Sequence, residues 1–251
     1  MAIEYRTIYC MAYSHSLKLM QHSIHKKIIN HYWDPYAPIQ TKVLSLLNPE
    51  SLIVEIGPGH IPFELATEFI DWQLSPRLKG KKVHVMDINT ELLPYDDKSV
   101  DFIYCRHVLE DIYNPAWVCQ EMSRVAKAGY IETPSPISEC CRGVDGGSPF
   151  WRGYIHHRYL VWVDDGDMLT FLPKYPVIEY LDFGEEDEYI IELLNQGGLH
   201  WNTYYLWENE INFQYLQHDS EFKVQENYLE VIKEALSISV INAINVSIVT
   251  G

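Results

Sequence analysis

Residues 54–63 read "VEIGPGHIPF", and the reading of this stretch decides the fold. An apolar run ends in two glycines that flank Pro58. Glycine accepts backbone angles and close approaches that a Cβ blocks. A turn this poor in side chains, Glu55 to Gly59, leaves room for a ligand. The run before it, "SLIVEI" at 51–56, is almost continuously apolar, as expected of a strand covered on both faces. A helical pattern is read after it, through Leu65, Ala66, Phe69 and Ile70. Ligands of open α/β sheets bind at the carboxyl ends of the strands, where this turn falls.

Working outward, "SPRLKGKK" at 75–82 reads as a basic loop and "VHVMDI" at 83–88 as a second strand. "SVDFIYC" at 99–105 is a third strand, 115–127 a helix, and "GYIETPSP" at 129–136 a fourth strand. Strands alternating with helices imply a parallel α/β sheet. Upstream, Leu17, Met20, Ile24 and Ile28 give 14–31 the spacing of an amphipathic helix that "DPYAP" at 34–38 ends. A short helix at about 38–47 completes an N-terminal cap. Three regions follow: a cap over 1–48, an α/β core over 49–136, and a substrate-side insertion that completes the sheet over 137–251.

The last region has a different texture. "YIHHRYLVWV" at 154–163 and "YYLWENEINFQYL" at 204–216 are aromatic and partly alternating, which predicts antiparallel strands, with "DGD" at 165–167 as a hairpin turn. Glu185 to Glu188 form an acidic run that reads as a solvated face. The apolar tail "ALSISVINAINVSIV" is a buried final strand or a helix packed on the core.

The chain has 251 residues and a formal net charge of -16. That charge excludes a broad nucleic-acid surface, which needs concentrated Lys and Arg, and disfavours anionic membranes. No run of 18 apolar residues is present to span a bilayer, and no early stretch has a signal-peptide pattern. Five irregularly spaced cysteines make a poor disulfide framework, and Cys140–Cys141 read as free thiols near a loop. These features predict a cytoplasmic protein with a small-molecule partner. They say nothing of oligomeric state.

"GPGHIP" lacks the third glycine of a dinucleotide fingerprint, and no Gly-Lys-Ser/Thr follows to make a phosphate loop. A ligand without a pyrophosphate fits better. With "VEIGPG" at 54–59, the ordered series "VMDINTELLPYDDKSVDFIYCRHVLEDIYNPAWVCQEMSRVAKAGYIETPSP" at 85–136 resembles the class I S-adenosylmethionine-dependent methyltransferases, and the type 11 group in particular. The resemblance covers about residues 50–136. It implies a Rossmann-like methyltransferase sheet and S-adenosylmethionine as cofactor. Glu55, Gly57, Pro58 and Gly59 would face its methionine and ribose portions, and the resemblance places Arg106 and His107 at its reactive end. Asp87 would accept from the ribose or the adenine, and Ile88 with Leu92 would form an apolar slot for the ring.

The stretch between Gly59 and Asp101 is short for that family. Either one strand–helix unit is missing or two strands are merged into "VHVMDI". The "LLPY" context at 92–95 favours an adenine role for Asp87 and leaves no ribose acid. Asp111 also stands where the family carries a second histidine.

"FWRGYIHHRYLVW" at 150–162 combines hydrogen-bonding side chains with rings. Were it a strand, His156 and His157 would point to opposite faces. His107, His156 and His157 are the candidate bases for deprotonating an acceptor, since histidine titrates near neutrality. Arg152 or Arg158 would hold an acidic substrate group. No metal is expected: HExxH and paired CxxC are missing, and two histidines with Asp164 or Asp165 form the minor alternative.

The leading expectation is methyl transfer to a hydroxyl or amine of a small molecule or saccharide-like acceptor. The rival is a binding or scaffold protein that kept this fold without the chemistry. A nicotinamide-type ligand is third, because the glycine fingerprint is poor.

Overall fold

The computed structural model describes residues 28–34, 36–164, 167–216 and 224–250. Most of the helix expected at 14–31 lies outside them, and residues 28–31 are not helical. The first helix, α1, spans Ala37–Ser45, with Pro38 in its first turn and Ile39 and Val43 buried.

Six strands form the main sheet: β1 (Ile53–Ile56), β2 (Glu68–Asp71), β3 (Lys82–Val85), β4 (Val100–Arg106), β5 (Ala126–Pro134) and β8 (Asn202–Glu208). Their order is β3-β2-β1-β4-β5-β8. The first five run parallel, and β8 pairs antiparallel with β5. This is a Rossmann-like sheet, open at β3 and closed by an antiparallel strand.

Two expectations need correction. The residues after Gly59 form no helix: 60–67 are loop and turn, and Phe69 and Ile70 lie in β2. No strand is lost, because β1, β2 and β3 are all present before β4. The helices between them are what the described residues lack, apart from a single 3-10 turn at Pro76–Leu78. The segments joining β1, β2 and β3 are too short to carry full crossover helices.

The loops cover the sheet instead. Phe63 stacks on Tyr104 with centroids 4.1 Å apart, on the face that α1 also covers. The opposite face packs Val54, Ile56, Ile103 and Cys105 against α2 (Pro115–Val125). Asn114 caps α2 by accepting from Trp117 N–H, and the helix presents Val118, Cys119 and Met122 to the core. Asp101 and the Glu121–Arg124 pair are structural. Asp101 accepts from Leu52 N–H at 2.9 Å and from Lys127, and Arg124 donates to Glu121 at 2.7 Å.

The second sheet, order β6-β7-β9, joins β6 (Tyr159–Val163), β7 (Leu169–Pro173) and β9 (Phe213–Tyr215). β6 and β7 are antiparallel as expected, whereas β9 lies parallel to β7. Residues 154–158 are not strand. A short helix α3 (Pro136–Cys140) follows β5, α4 covers Glu186–Leu194, and the apolar tail is helical in α5 (Val224–Thr250). The acidic run opens α4, and its Asp187 is not merely solvated: it pairs at 2.5 Å with the buried Arg152. Cys140 and Cys141 are free thiols at the end of α3, as expected, and both are buried, which pushes them up to about 12. No helix among the described residues is long and apolar enough to cross a membrane.

Candidate active site

In this strand order the chain reverses direction across the sheet between β1 and β4, the place where ligands of open α/β sheets bind, outside the carboxyl ends of the strands. Gly57 and Gly59 fill the end of β1 with φ of 66° and 52°, a region that costs other residues strain. The two glycines serve different ends. A Cβ on Gly57 would collide with Val108, so that glycine lets the loop after β4 press against the turn. A Cβ on Gly59 would meet only Gly57 O at 3.9 Å, which leaves open space above the turn. Among the described residues, the exposed Gly59 and His60 N–H groups donate to no protein acceptor. That is a cradle suited to a carboxylate.

Glu55 points into the sheet face under this turn. Its Oε2 accepts from Phe63 N–H at 2.8 Å and so fixes the loop that replaces the expected helix. Burial raises its carboxyl to about 7, partly offset by the Phe63 N–H and the Arg106 charge. Arg106 turns inward, donating to Glu132 Oε1 at 2.8 Å. Glu132 is fully buried, yet His107 and Arg106 outweigh its burial and hold it down at about 2. Tyr130 O–H and Asn202 also donate to that carboxylate.

β2 ends in Asp71, which sequence reasoning missed because "EFID" was absorbed into a helix. Its backbone C=O takes Met86 N–H, while its carboxylate receives one long bond, from Gln73 N–H at 3.4 Å. An acid at the end of the strand beside the glycine turn is free to accept from a hydroxyl-bearing ligand. The signal was available: an apolar pair closed by an acid directly before the Gln73–Ser75 break. Asp87 follows β3, the outer strand at this end of the sheet. Its carboxylate is occupied by its own turn, accepting from Asn89 N–H at 3.0 Å and Asn89 Nδ2 at 2.8 Å. Ile88 is half-buried against the core, and Leu92 is exposed. Asn89 Oδ1 accepts from Tyr113 N–H, tying this turn to the loop after β4.

That loop carries the rest of the site. His107 takes a positive φ of 54° at the end of β4. Its ring is buried, 4.2 Å from Tyr32 and 5.0 Å from Trp33 between centroids. Its nitrogens lie 3.7 Å from Glu110 Oε1 and 3.5 Å from Glu132 Oε1. Burial pulls the ring's pKa down, but the two carboxylates outweigh it and the net direction is up.

His156 and His157 do not point apart. Their rings are 4.5 Å apart, and each Nε2 lies 3.9 Å from Asp111 Oδ1. His157 is buried and its Nδ1–H donates to Glu139 Oε1 at 2.6 Å. Burial opposes its charge, and Glu139 with Glu110 and Asp111 reverses the balance upward. His156 is exposed, and partial burial plus the His157 charge lower it. Burial and the Glu110 charge raise Asp111 to about 6. Arg158 lies 3.6 Å over the Tyr113 ring. Arg152 does not face this site: it is buried against Cys140 O, Leu181 O and Asp187. The other proposed metal ligand Asp164 is turned into the β6–β7 hairpin, accepting from Met168 N–H and Gln214, and Asp165 lies outside the described residues.

Two cavities, of about 190 Å³ and 160 Å³, lie against α5, and neither is lined by the glycine turn.

Residues 61–131 match the family model of a methyltransferase domain. The match lies within the Rossmann-like sheet. The match takes in β2 to β5 with Asp71, Asp87, Arg106, His107 and Asp111. Among solved structures, the chain is similar to YcgJ of Bacillus subtilis, at 17% identity over 40% of this chain and 51% of that one, with a TM-score of 0.32. A SAM-dependent methyltransferase of Thermotoga maritima is 24% identical over 39% of this chain and 51% of that one, with a TM-score of 0.29. The 4+2 cyclase SpnF is 18% identical over 41% of this chain and 47% of that one, with a TM-score of 0.32. The chain thus spans about half the length of these structures. No curated protein matches it.

Proposed function

We propose that the protein is an S-adenosylmethionine-dependent methyltransferase acting on a hydroxyl or amine of a small-molecule or saccharide-like acceptor. One observation carries this reading. A bare glycine turn after β1 and an acid with a nearly unused carboxylate after β2 border the point where the sheet order reverses. The matched methyltransferase domain supports it.

The residues fit the cofactor. The Gly59 and His60 N–H groups would hold its carboxylate, Asp71 its ribose hydroxyls, and Ile88 with Leu92 its ring. Glu55 and Arg106 act beneath, fixing the loop and the sheet end rather than touching the ligand. The bound cofactor would supply a methyl group on a sulfonium, open to in-line attack. The chain's own part is to place the acceptor, and positioning is a large share of the rate in such transfers.

The loop from Val108 to Tyr113 leads from the glycine turn to the Asp111–His156–His157 cluster. With its Nε2 atoms free of any ion, this cluster would take the acceptor proton. His107 is sealed under Tyr32 and Trp33, so in this reading it holds Glu110 and Glu132 rather than serving as base. The exposed Tyr113, with Arg158 over it, offers a stacking face for a ring or sugar.

The absent helix after Gly59 favours a second reading, a binding protein without chemistry. The test is transfer of labelled methyl from S-adenosylmethionine to a panel of phenols, amines and sugars. Acceptor-dependent S-adenosylhomocysteine release, lost in Asp71→Ala, supports the enzyme. Cofactor binding without any transfer supports the scaffold.

A further inference from the structure

The loop after β4 and the segment before β6 bring three metal-ligand atoms together. One ligand atom each from Asp111, His156 and His157 lies within 4.8 Å of the others. Both imidazole Nε2 atoms stand 3.9 Å from the same oxygen, Asp111 Oδ1. That oxygen is buried and has no hydrogen-bond partner. At this distance neither ring donates to it.

The surroundings are those of a prepared ligand set. His157 Nδ1–H is held at 2.6 Å by Glu139, whose other oxygen takes Lys174 Nζ at 2.6 Å. A carboxylate on the far nitrogen is the usual way a metal-binding histidine is oriented and its free nitrogen made more basic. With Nδ1–H held by Glu139, Nε2 is the nitrogen left facing Asp111, and it offers a lone pair once its own proton is displaced by an incoming ion. Glu110 is fully buried beside them; neither carboxylate oxygen has a hydrogen bond, and Oε1 lies 3.7 Å from His107 Nδ1.

We infer that Asp111, His156 and His157 form a binding site for a divalent transition-metal ion, with zinc the ion that best fits the donor set. Two imidazoles and a carboxylate leave a fourth position open. Tetrahedral bonds of about 2.1 Å place ligand atoms about 3.4 Å apart, so the 3.9 Å separations close with small rotations. His156, 61% exposed, and Asp111, 38% exposed, give the ion access from solvent. Arg158, which donates to Asp111 O, is the nearby cation that competes. The Glu110 and Glu139 carboxylates offset it. The site requires neither the methyl donor nor the activity proposed above.

The test uses the full chain without an affinity tag, stripped with chelator and titrated with Co²⁺ and then Zn²⁺. The expected result is one ion per chain, visible Co²⁺ ligand-field bands that Zn²⁺ removes, and affinity about tenfold or more weaker in His156→Ala and in Asp111→Asn. Circular dichroism checks that each variant is folded. His156 is exposed, so His156→Ala decides the matter if Asp111→Asn unfolds. A folded wild type that shows no Co²⁺ bands, or a His156→Ala protein that binds as the wild type does, overturns the site. Either result leaves S-adenosylmethionine binding untouched, so the two proposals fail separately.

Discussion

At the scale of single residues, Glu55 and Gly57 show how the glycine turn is built. Glu55 is raised to about 7 from 4.5, chiefly by burial. Between those values the folded chain keeps a proton that the unfolded chain has released. Stability therefore falls as pH rises through this window, by up to about 3 kcal/mol. Urea denaturation at about pH 5 and about pH 8 measures it, and Glu55→Gln is expected to flatten the difference. Gly57→Ala is expected to cost about 1–2 kcal/mol for its positive φ, plus the collision with Val108. Pairing it with Val108→Ala should recover the steric part and leave the backbone part, which a double-mutant cycle resolves.

At the scale of elements, β5 and β8 depend on a close approach. A Cβ at Gly129 would lie 2.7 Å from Ile103 O and 2.7 Å from the Trp207 ring. Gly129→Ala should cost about 1–3 kcal/mol in thermal or urea unfolding, because neither the strand nor the indole can retreat far. The elements also show what a sequence conveys. The β1, β4 and β5 strands and α2 are legible because the strands carry short, mostly apolar runs between turn residues and α2 has a proline-led start. "ELATEFID" was not legible: Leu65, Ala66, Phe69 and Ile70 satisfy helical spacing over too few residues to exclude a strand. Asp71 disappeared with that strand. The meeting of His156 and His157 on Asp111 was equally hidden, since strand alternation was assumed for a segment that turns.

At the scale of the molecule, one end of the main sheet gathers the glycine turn, Asp71, the Asp87–Asn89 turn and the loop after β4. The segment before β6 and α3 bring His156, His157 and Glu139 to the far end of that loop. The sequence resemblance located the glycine turn and the region of Arg106 and His107. It did not show that Arg106 is committed to Glu132, because the partner is 26 residues away on a neighbouring strand. On the proposed function, the sheet end between β1 and β4 binds S-adenosylmethionine. Calorimetric titration of the cofactor and of S-adenosylhomocysteine into the wild type and Asp71→Ala tests it most directly. The account predicts saturable one-to-one binding that Asp71→Ala weakens by about tenfold or more, as loss of hydrogen bonds to a charged group does. No binding to a folded wild type, or binding that Asp71→Ala leaves unchanged, would contradict it.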